Sequence, residues 1–275
     1  MLNSLLTTLE TMPDIYKVLW LAICLSGATA AELLIPLVKS EYKRLPQLRV
    51  NLFFLLTTFI VNAIFSLLLV RLLPVLASYN IGLFNLLSLP SLPLWIELLA
   101  ALLILDLLAQ YTIHYLLHNV KFLWRFHQVH HSDLYVNATT GTRHHPIDYC
   151  AREMFSLLCI VALGAPLGVY MFYRLITVFC TYFTHSNISL PHSVDRALSF
   201  VIVTPNAHKF HHHSTMPWTN RNYGNIFSVW DRLFGTFVYE STDKIHYGVD
   251  TMDEKRADSV WYQLTKPFNR HSGSS

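Results

Sequence analysis

The sequence predicts an all-α integral membrane protein. About four membrane-embedded helical elements carry a histidine-rich helical cap: two spans, a third span leading to the histidines, and a helical hairpin. Three observations predict it. Hydrophobic residues make up 53% of the 275 positions and charged residues only 13%, against roughly 25% charged in soluble globular proteins. Apolar runs of membrane-crossing length recur along the chain. Thirteen of the fifteen histidines fall between His114 and His213, a density that needs a chemical reason.

Residues 1–14 read as a short amphipathic lead. Glu10 and Asp14 precede the first apolar run without a basic segment, which argues against a secretory signal peptide. The first span is residues 15–38, long enough for a hydrocarbon core of roughly 30 Å at about 1.5 Å per residue. A basic connector follows, with Lys39, Lys43, Arg44 and Arg49. The second span is residues 52–75. Residues 76–92, with Asn80, Gly82, Asn85 and Pro90, read as a turn-rich connection. A third span, 94–117, delivers His114 and His118. Residues 119–150 are polar and aromatic and belong to the cap. Residues 154–184 are apolar but broken at Gly164-Ala165-Pro166-Leu167-Gly168, as in a hairpin that enters and leaves on one side.

Loops rich in Lys and Arg stay in the cytoplasm. The connector is therefore expected there, with the histidine cluster and the C-terminus, and the N-terminus on the opposite side. The expected division is a membrane-anchoring region 1–93, a catalytic domain 94–240 and a cytoplasmic tail 241–275. A formal charge of +3 with scattered basic residues excludes a nucleic-acid binder. Cys24, Cys150, Cys159 and Cys180 form no CxxC pair, and three of them lie in apolar runs, so they read as small core residues rather than a disulfide framework.

The chemistry is in the spacing. His114-xxx-His118 sets two imidazoles about one helical turn apart on one face. His127-xx-His130-His131 and His208-xx-His211-His212 add a neighbour that diverges by roughly 100°, so each segment addresses two metals at once. A structural zinc needs four ligands and a catalytic one three, so eight to ten imidazoles point to two ions with open positions. Imidazole suits iron, zinc, copper and nickel alike. His144-His145-Pro146 and His185 are weaker candidates. His213 extends a motif and is as readily solvated, and His192, His246 and His271 read as unremarkable. Asp106, Gln110, His114 and His118 recur every four residues as a polar stripe. Asp106 faces either inward, toward the metal chamber or a substrate path, or a bonding partner on a neighbouring helix.

These residues resemble the fatty acid hydroxylase and sterol desaturase superfamily of membrane di-metal oxygenases, most of all its prokaryotic-type sterol desaturase members. The resemblance covers about residues 114–237. It rests on the three histidine motifs, Asn137 with Thr139-Thr140, Arg143-His144-His145-Pro146, Thr184-His185-Ser186-Asn187, Asp195-Arg196, Asn222-Tyr223-Gly224-Asn225 and Trp230-Asp231-Arg232 through Thr236. It implies two iron ions, with zinc also seen in such sites, and O2 as co-substrate for hydroxylation or desaturation of a membrane lipid. It implies as ligands His114, His118, His127, His130, His131, His145, His185, His208, His211 and His212. Some members carry a further histidine where this chain has Ser189. Asp148 and Asp133, with Asp106, are expected to support the ligands, since metal-bound imidazoles give their other N–H to a carboxylate or carbonyl. The chain carries no CxxCH and no convincing GxGxxG, so electrons are expected from a separate reductase with a cytochrome b5-like or ferredoxin-like carrier. Two other readings stand beside this one: a zinc-dependent membrane hydrolase, and a metal transporter or sensor.

Overall fold

A computed structural model describes residues 2–38, 44–79, 82–83, 93–240 and 245–269. Residues 39–43 of the basic connector, most of the turn-rich connection 76–92, and His271 lie outside the described residues. The described chain is helical, with isolated bridges at Pro36–Ile188 and Ile202–Phe227. Helix α1 is Leu2–Glu10, α2 Asp14–Leu34 and α3 Arg44–Ser78. Helix α4, Leu94–Asp106, continues through a π-helical turn, Leu107–Thr112, into α5, Ile113–Asn119. Then come α6, Lys121–His131, α7, Pro146–Leu163, α8, Leu167–His185, α9, His192–Leu198, and α10, Pro205–His211. Helices α11, Val229–Leu233, and α12, Val260–Thr265, complete the described set. Four segments are long and apolar enough to cross a membrane: Asp14–Leu34, Leu45–Leu76, Leu94–Asn119 and Leu167–His185. This is an integral membrane protein.

Helix α3 shows how lipid shapes the frame. Phe54, Thr58, Val61, Phe65 and Leu69 are buried, while Leu52, Leu56, Ile60, Ile64 and Leu67 are exposed. Both faces are apolar, so the outer one suits a hydrocarbon solvent rather than water. Val61, Phe65 and Leu69 pack with Leu105, Ile160 and Tyr173 to form the core of the membrane half.

Helices α7 and α8 are the arms of the expected hairpin. The turn is set by Gly164, whose φ of +67° suits a residue without Cβ and whose N–H donates to Ile160 O at 2.9 Å. Gly82 closes over it; a Cβ there would stand 2.3 Å from Gly164 Cα. Arm α7 packs on α3, and arm α8 on α1 and α2.

Polar bonds fix the cap to the frame. Glu32, buried near the end of α2, accepts from Ala138 N at 2.6 Å and Asn187 N at 2.8 Å. Arg143 is fully buried and donates to Val129 O, Ser132 Oγ, Asn51 Oδ1 and Ala257 O. Residues 245–269 lie against the cap: Met252 and Tyr262 share a core with Val50, Phe54 and Val129.

The polar stripe on the third span is interrupted. The wide turn 107–112, where Thr112 Oγ1 donates to Leu107 O at 2.9 Å, adds a residue to the helical repeat. Each added residue rotates the downstream helix by about 100°. Asp106 therefore meets a different neighbour from His114 and His118. Its carboxylate accepts from Ile226 N, Phe227 N and Trp230 Nε1 at 3.0–3.2 Å, and so binds the third span to the loop before α11.

Candidate metal centre

Histidine on short helices at the cap builds two adjoining groups. Helix α5 brings His114 and His118, α6 brings His127 and His131, and α10 brings His211; their donor nitrogens lie within 4.8 Å of one another. The second group joins His130 from α6, His185 from the end of α8, His208 from α10, and His212 just beyond it, within the same limit. The HxxHH spacing achieves this division: the adjacent pairs His130-His131, in α6, and His211-His212, at the end of α10, each split between the groups. All nine side chains are buried.

The groups fit resident metal ions. Nε2 of His114, His118, His127 and His211 is buried without a hydrogen-bond partner among the described residues, as are Nδ1 of His130 and His208 and both nitrogens of His131 and His212. Unsatisfied buried polar atoms are rare and each needs an explanation. In the second group His185 Nε2 stands 3.1 Å from His130 Nε2 and 3.0 Å from His208 Nε2. Two imidazole nitrogens at right angles on one ion, each at about 2.1 Å, would be about 3 Å apart.

The remaining ring nitrogens are held by acceptors. His114 Nδ1 donates to Tyr223 O at 2.7 Å, His211 Nδ1 to Arg221 O at 2.8 Å and His185 Nδ1 to Thr181 O at 2.7 Å. His118 Nδ1 lies 3.2 Å from Asn220 Oδ1. A carbonyl only accepts, so Nδ1 carries the proton and Nε2 keeps its lone pair for a metal. Burial also holds the cap histidines neutral. It pushes His127 down to about 4, against the pull of Asp148, and His130, His131, His208, His211 and His212 well below the ordinary value. Lys209, fully buried, falls to about 7 for the same reason, and its Nζ donates to Val136 O and His185 O.

His145 lies outside both groups. Pro146 opens α7, His145 is its N-cap, and its Nδ1 accepts from Ile147 N at 3.1 Å. Its ring rests 5.1 Å from Phe126, and its Nε2 is 3.3 Å from Leu264 O. His144 stands at the centre instead. Its ring stacks on His130 at 4.5 Å, and its Nδ1 lies 2.8 Å from Asp148 Oδ2. The signal was in the sequence: proline at the first helical position marks the preceding residue as a cap, which turns His145 toward the backbone.

The three carboxylates also divide. Asp148 lies 3.5 Å from His127 Nδ1 as well as beside His144, and adjoins Arg152. Burial would push its carboxyl up, but Arg152 and His127 together hold it well below the usual range. Asp133 meets no imidazole among the described residues; it accepts from Gln47, Asn51, Thr140 Oγ1 and Tyr135 N. Asp106 serves the frame, through its bonds to Ile226, Phe227 and Trp230. Sequence reasoning passed over Arg152, Lys209 and Asn220, and also Asn62, Tyr149, Glu153 and Arg174, which line an adjoining cavity of about 140 Å³. That cavity runs from His114, His130, His144, His185 and His208 to Asn62, Tyr149, Glu153 and Arg174. Charged residues inside apolar runs were the available signal for the last two.

The fatty acid hydroxylase family model matches residues 98–236, half of the chain. The chain belongs to the fatty acid hydroxylase family. This family member is 33% identical over 164 residues to ornithine lipid hydroxylase OlsE of Rhizobium tropici, covering 58% of this chain and 47% of that one. It is 29% identical over 154 residues to alkylglycerol monooxygenase of Caenorhabditis elegans, covering 55% and 29% of the two chains. A cholesterol 25-hydroxylase-like protein of Danio rerio is 28% identical over 146 residues, with 52% and 56% covered. The matches thus span about half or less of the first two relatives' own length. No solved structure matches.

Proposed function

We propose that this protein is an O2-dependent lipid hydroxylase of the membrane whose two histidine groups hold two iron ions. One observation carries the reading: nine buried imidazoles in two adjoining groups, with the donor nitrogens of each group within 4.8 Å of one another. In the overall reaction a C–H bond breaks and a C–OH bond forms. The second oxygen atom leaves as water, taking two electrons and two protons. The metal pair, when bound, supplies the activation of O2. The protein supplies the rest.

His114, His118, His127, His131 and His211 would hold one ion, and His130, His185, His208 and His212 the other. His144 and Asp148 support the place where the groups meet, through the stack on His130 and the approach to His127. The backbone acceptors at Tyr223, Arg221 and Thr181 keep Nδ1 protonated and the rings oriented. The buried apolar frame excludes water. Electrons come from a separate carrier protein and its reductase. The sidedness that fits is a cytoplasmic cap, because the basic connector between the first two spans would lie on that side. Hydroxylation is favoured over desaturation because the named relatives are hydroxylases and monooxygenases. A zinc hydrolase would have little use for nine imidazoles. A transporter would thread free carboxylates through the spans, whereas Glu32 and Asp106 are bonded to backbone N–H groups.

The test compares lipids of cells expressing the wild type and His130→Ala under 18O2. A lipid carrying one labelled oxygen with the wild type alone is the expected result. A product equally abundant with the variant, at unchanged metal content, would overturn the assignment.

A further inference from the structure

The cavity beside the histidines has a second polar end that the metal chemistry does not use. Arg174, on the span Leu167–His185, donates through Nη1 to Glu153 Oε1 at 2.8 Å and through Nη2 to Asn62 Oδ1 at 2.9 Å. Asn62 Nδ2 donates to Tyr149 Oη at 2.9 Å, and Arg174 Nη2 lies 3.4 Å from the same oxygen. The four side chains come from α3, α7 and α8, and all four line the cavity. Glu153 is buried and Arg174 largely so, with 6% and 19% of the two side chains exposed.

Taking two charges out of water offsets much of their mutual attraction, so an ion pair held away from solvent is a weak means of gaining stability. Ionisable side chains at membrane depth face the bundle interior or a cavity and mark function. This pair borders a cavity rather than a packed seam. An acyl chain or sterol ring filling that end would displace water and leave the lining polar groups facing hydrocarbon. A polar occupant with both donors and acceptors matches Arg174, Asn62, Tyr149 and Glu153. Arg174 is paired with Glu153, and the third charged residue of the lining, Arg152, lies 3.5 Å from Asp148, so the charges cancel and an occupant with net charge would enter a low-dielectric site without a counter-charge. The fitting occupant is therefore polar and net-neutral.

The network is also close to the metal groups. The Tyr149 ring is 5.9 Å from the ring of His144, which stacks on His130. Glu153 follows Asp148 by five residues on α7, about 7.5 Å along the axis. An extended chain advances roughly 1.2 Å per bond, so this separation is about six bonds.

We propose that Arg174, Glu153, Asn62 and Tyr149 form the receptor for the polar, net-neutral head of the lipid substrate. The carbon presented to the metal groups then lies within about six bonds of that head, not far along a hydrocarbon tail. The inference rests on the hydroxylase reading and adds to it the substrate class and the region attacked. Charge cancellation fits a polyol head and a zwitterionic head equally, and excludes a free carboxylate.

The experiment offers three lipids in turn to membranes containing the full protein, the host's electron carriers and 18O2: an alkylglycerol, an ornithine lipid and a long-chain fatty acid. Fragmentation mass spectrometry locates the label. The expected result is label within about six bonds of the head of the alkylglycerol or the ornithine lipid, and none on the fatty acid. Glu153→Gln and Arg174→Gln should raise KM for the labelled lipid at least tenfold at wild-type metal content. The exchanged pair Glu153→Arg with Arg174→Glu should keep KM high even where it restores thermal stability. Label deep in the tail, oxidation of the fatty acid, or recovery of KM by the exchanged pair would overturn the receptor while leaving the hydroxylase reading intact. Absence of label from every lipid, with wild type and His130→Ala alike, would sink that reading and the receptor with it. The label position in the wild type decides the matter even if a variant fails to fold.

Discussion

The two histidine groups are made of the same residue type at the same burial, yet they are held differently. In the five-histidine group four rings have a protein partner on the nitrogen away from the centre: Tyr223 O for His114, Asn220 for His118, Asp148 for His127 and Arg221 O for His211. In the four-histidine group only His185 has such an anchor, at Thr181 O, while His130, His208 and His212 have none on their unpartnered nitrogens among the described residues. The first group is oriented by the fold. In the second, ring orientation depends far more on what the rings bind. Anchored imidazoles bind metal more tightly because tautomer and direction are fixed beforehand.

The largest expected effect comes from removing a ligand from either group. His118→Ala and His130→Ala should each abolish detectable product and lower metal content, as measured by elemental analysis. If the two groups differ in this way, His130→Ala loses the ion of its own group and leaves the other bound. Removing both ions equally would break the contrast.

Chelation is the next test. A chelator titrated into purified protein should remove metal in two phases, with the four-histidine group emptying first. The assignment of phases comes from repeating the titration in His212→Ala, where the early phase should vanish. A single phase in the wild type would show that the anchors make no difference. The anchors themselves predict a smaller effect: Asn220→Ala should weaken metal binding at the five-histidine group by about 10–100-fold, the usual cost of losing such a partner, without altering the early phase.

Acid sharpens the same contrast. Burial lowers the folded pKa of His127 to about 4, below the unfolded value of about 6.5. The unfolded chain therefore binds more protons between these values, so the stability associated with a neutral buried imidazole is present above about pH 6.5 and is lost as pH falls toward 4. Thermal melts of the metal-free protein should show a falling Tm over that window. The smallest effect concerns the frame: Asp106→Asn should leave metal content unchanged and cost about 1–3 kcal/mol, since an amide NH2 replaces one of the two accepting oxygens and leaves at least one of the buried donors Ile226 N, Phe227 N and Trp230 Nε1 unpaired. Denaturation in detergent measures it.

Much of this architecture was legible from local patterns. Apolar length marks the spans, because a hydrocarbon core demands about 20 apolar residues in a row whatever the neighbours are. Pro166 and Gly164 mark the hairpin. HxxHH spacing, through the fixed helical angle, foretells that adjacent histidines such as His130 and His131 face different centres. Periodicity failed where the helix changed its own repeat: the wide turn at 107–112 parts Asp106 from His114, and no window of the sequence announces it. Resemblance placed His145 among the ligands, whereas the start of α7 puts His144 beside the groups and His145 on a backbone N–H.

The sequence by itself therefore determined the family, the helical membrane frame and which segments carry imidazoles, all of which depend on residue type and near-neighbour spacing. Only the tertiary structure decided how those imidazoles divide between two groups, which carboxylate stands behind them, and that Asn62, Tyr149, Glu153 and Arg174 close one end of the cavity. Those four come from three helices up to 112 residues apart. Their meeting is a product of helix packing, and packing depends on the whole chain at once.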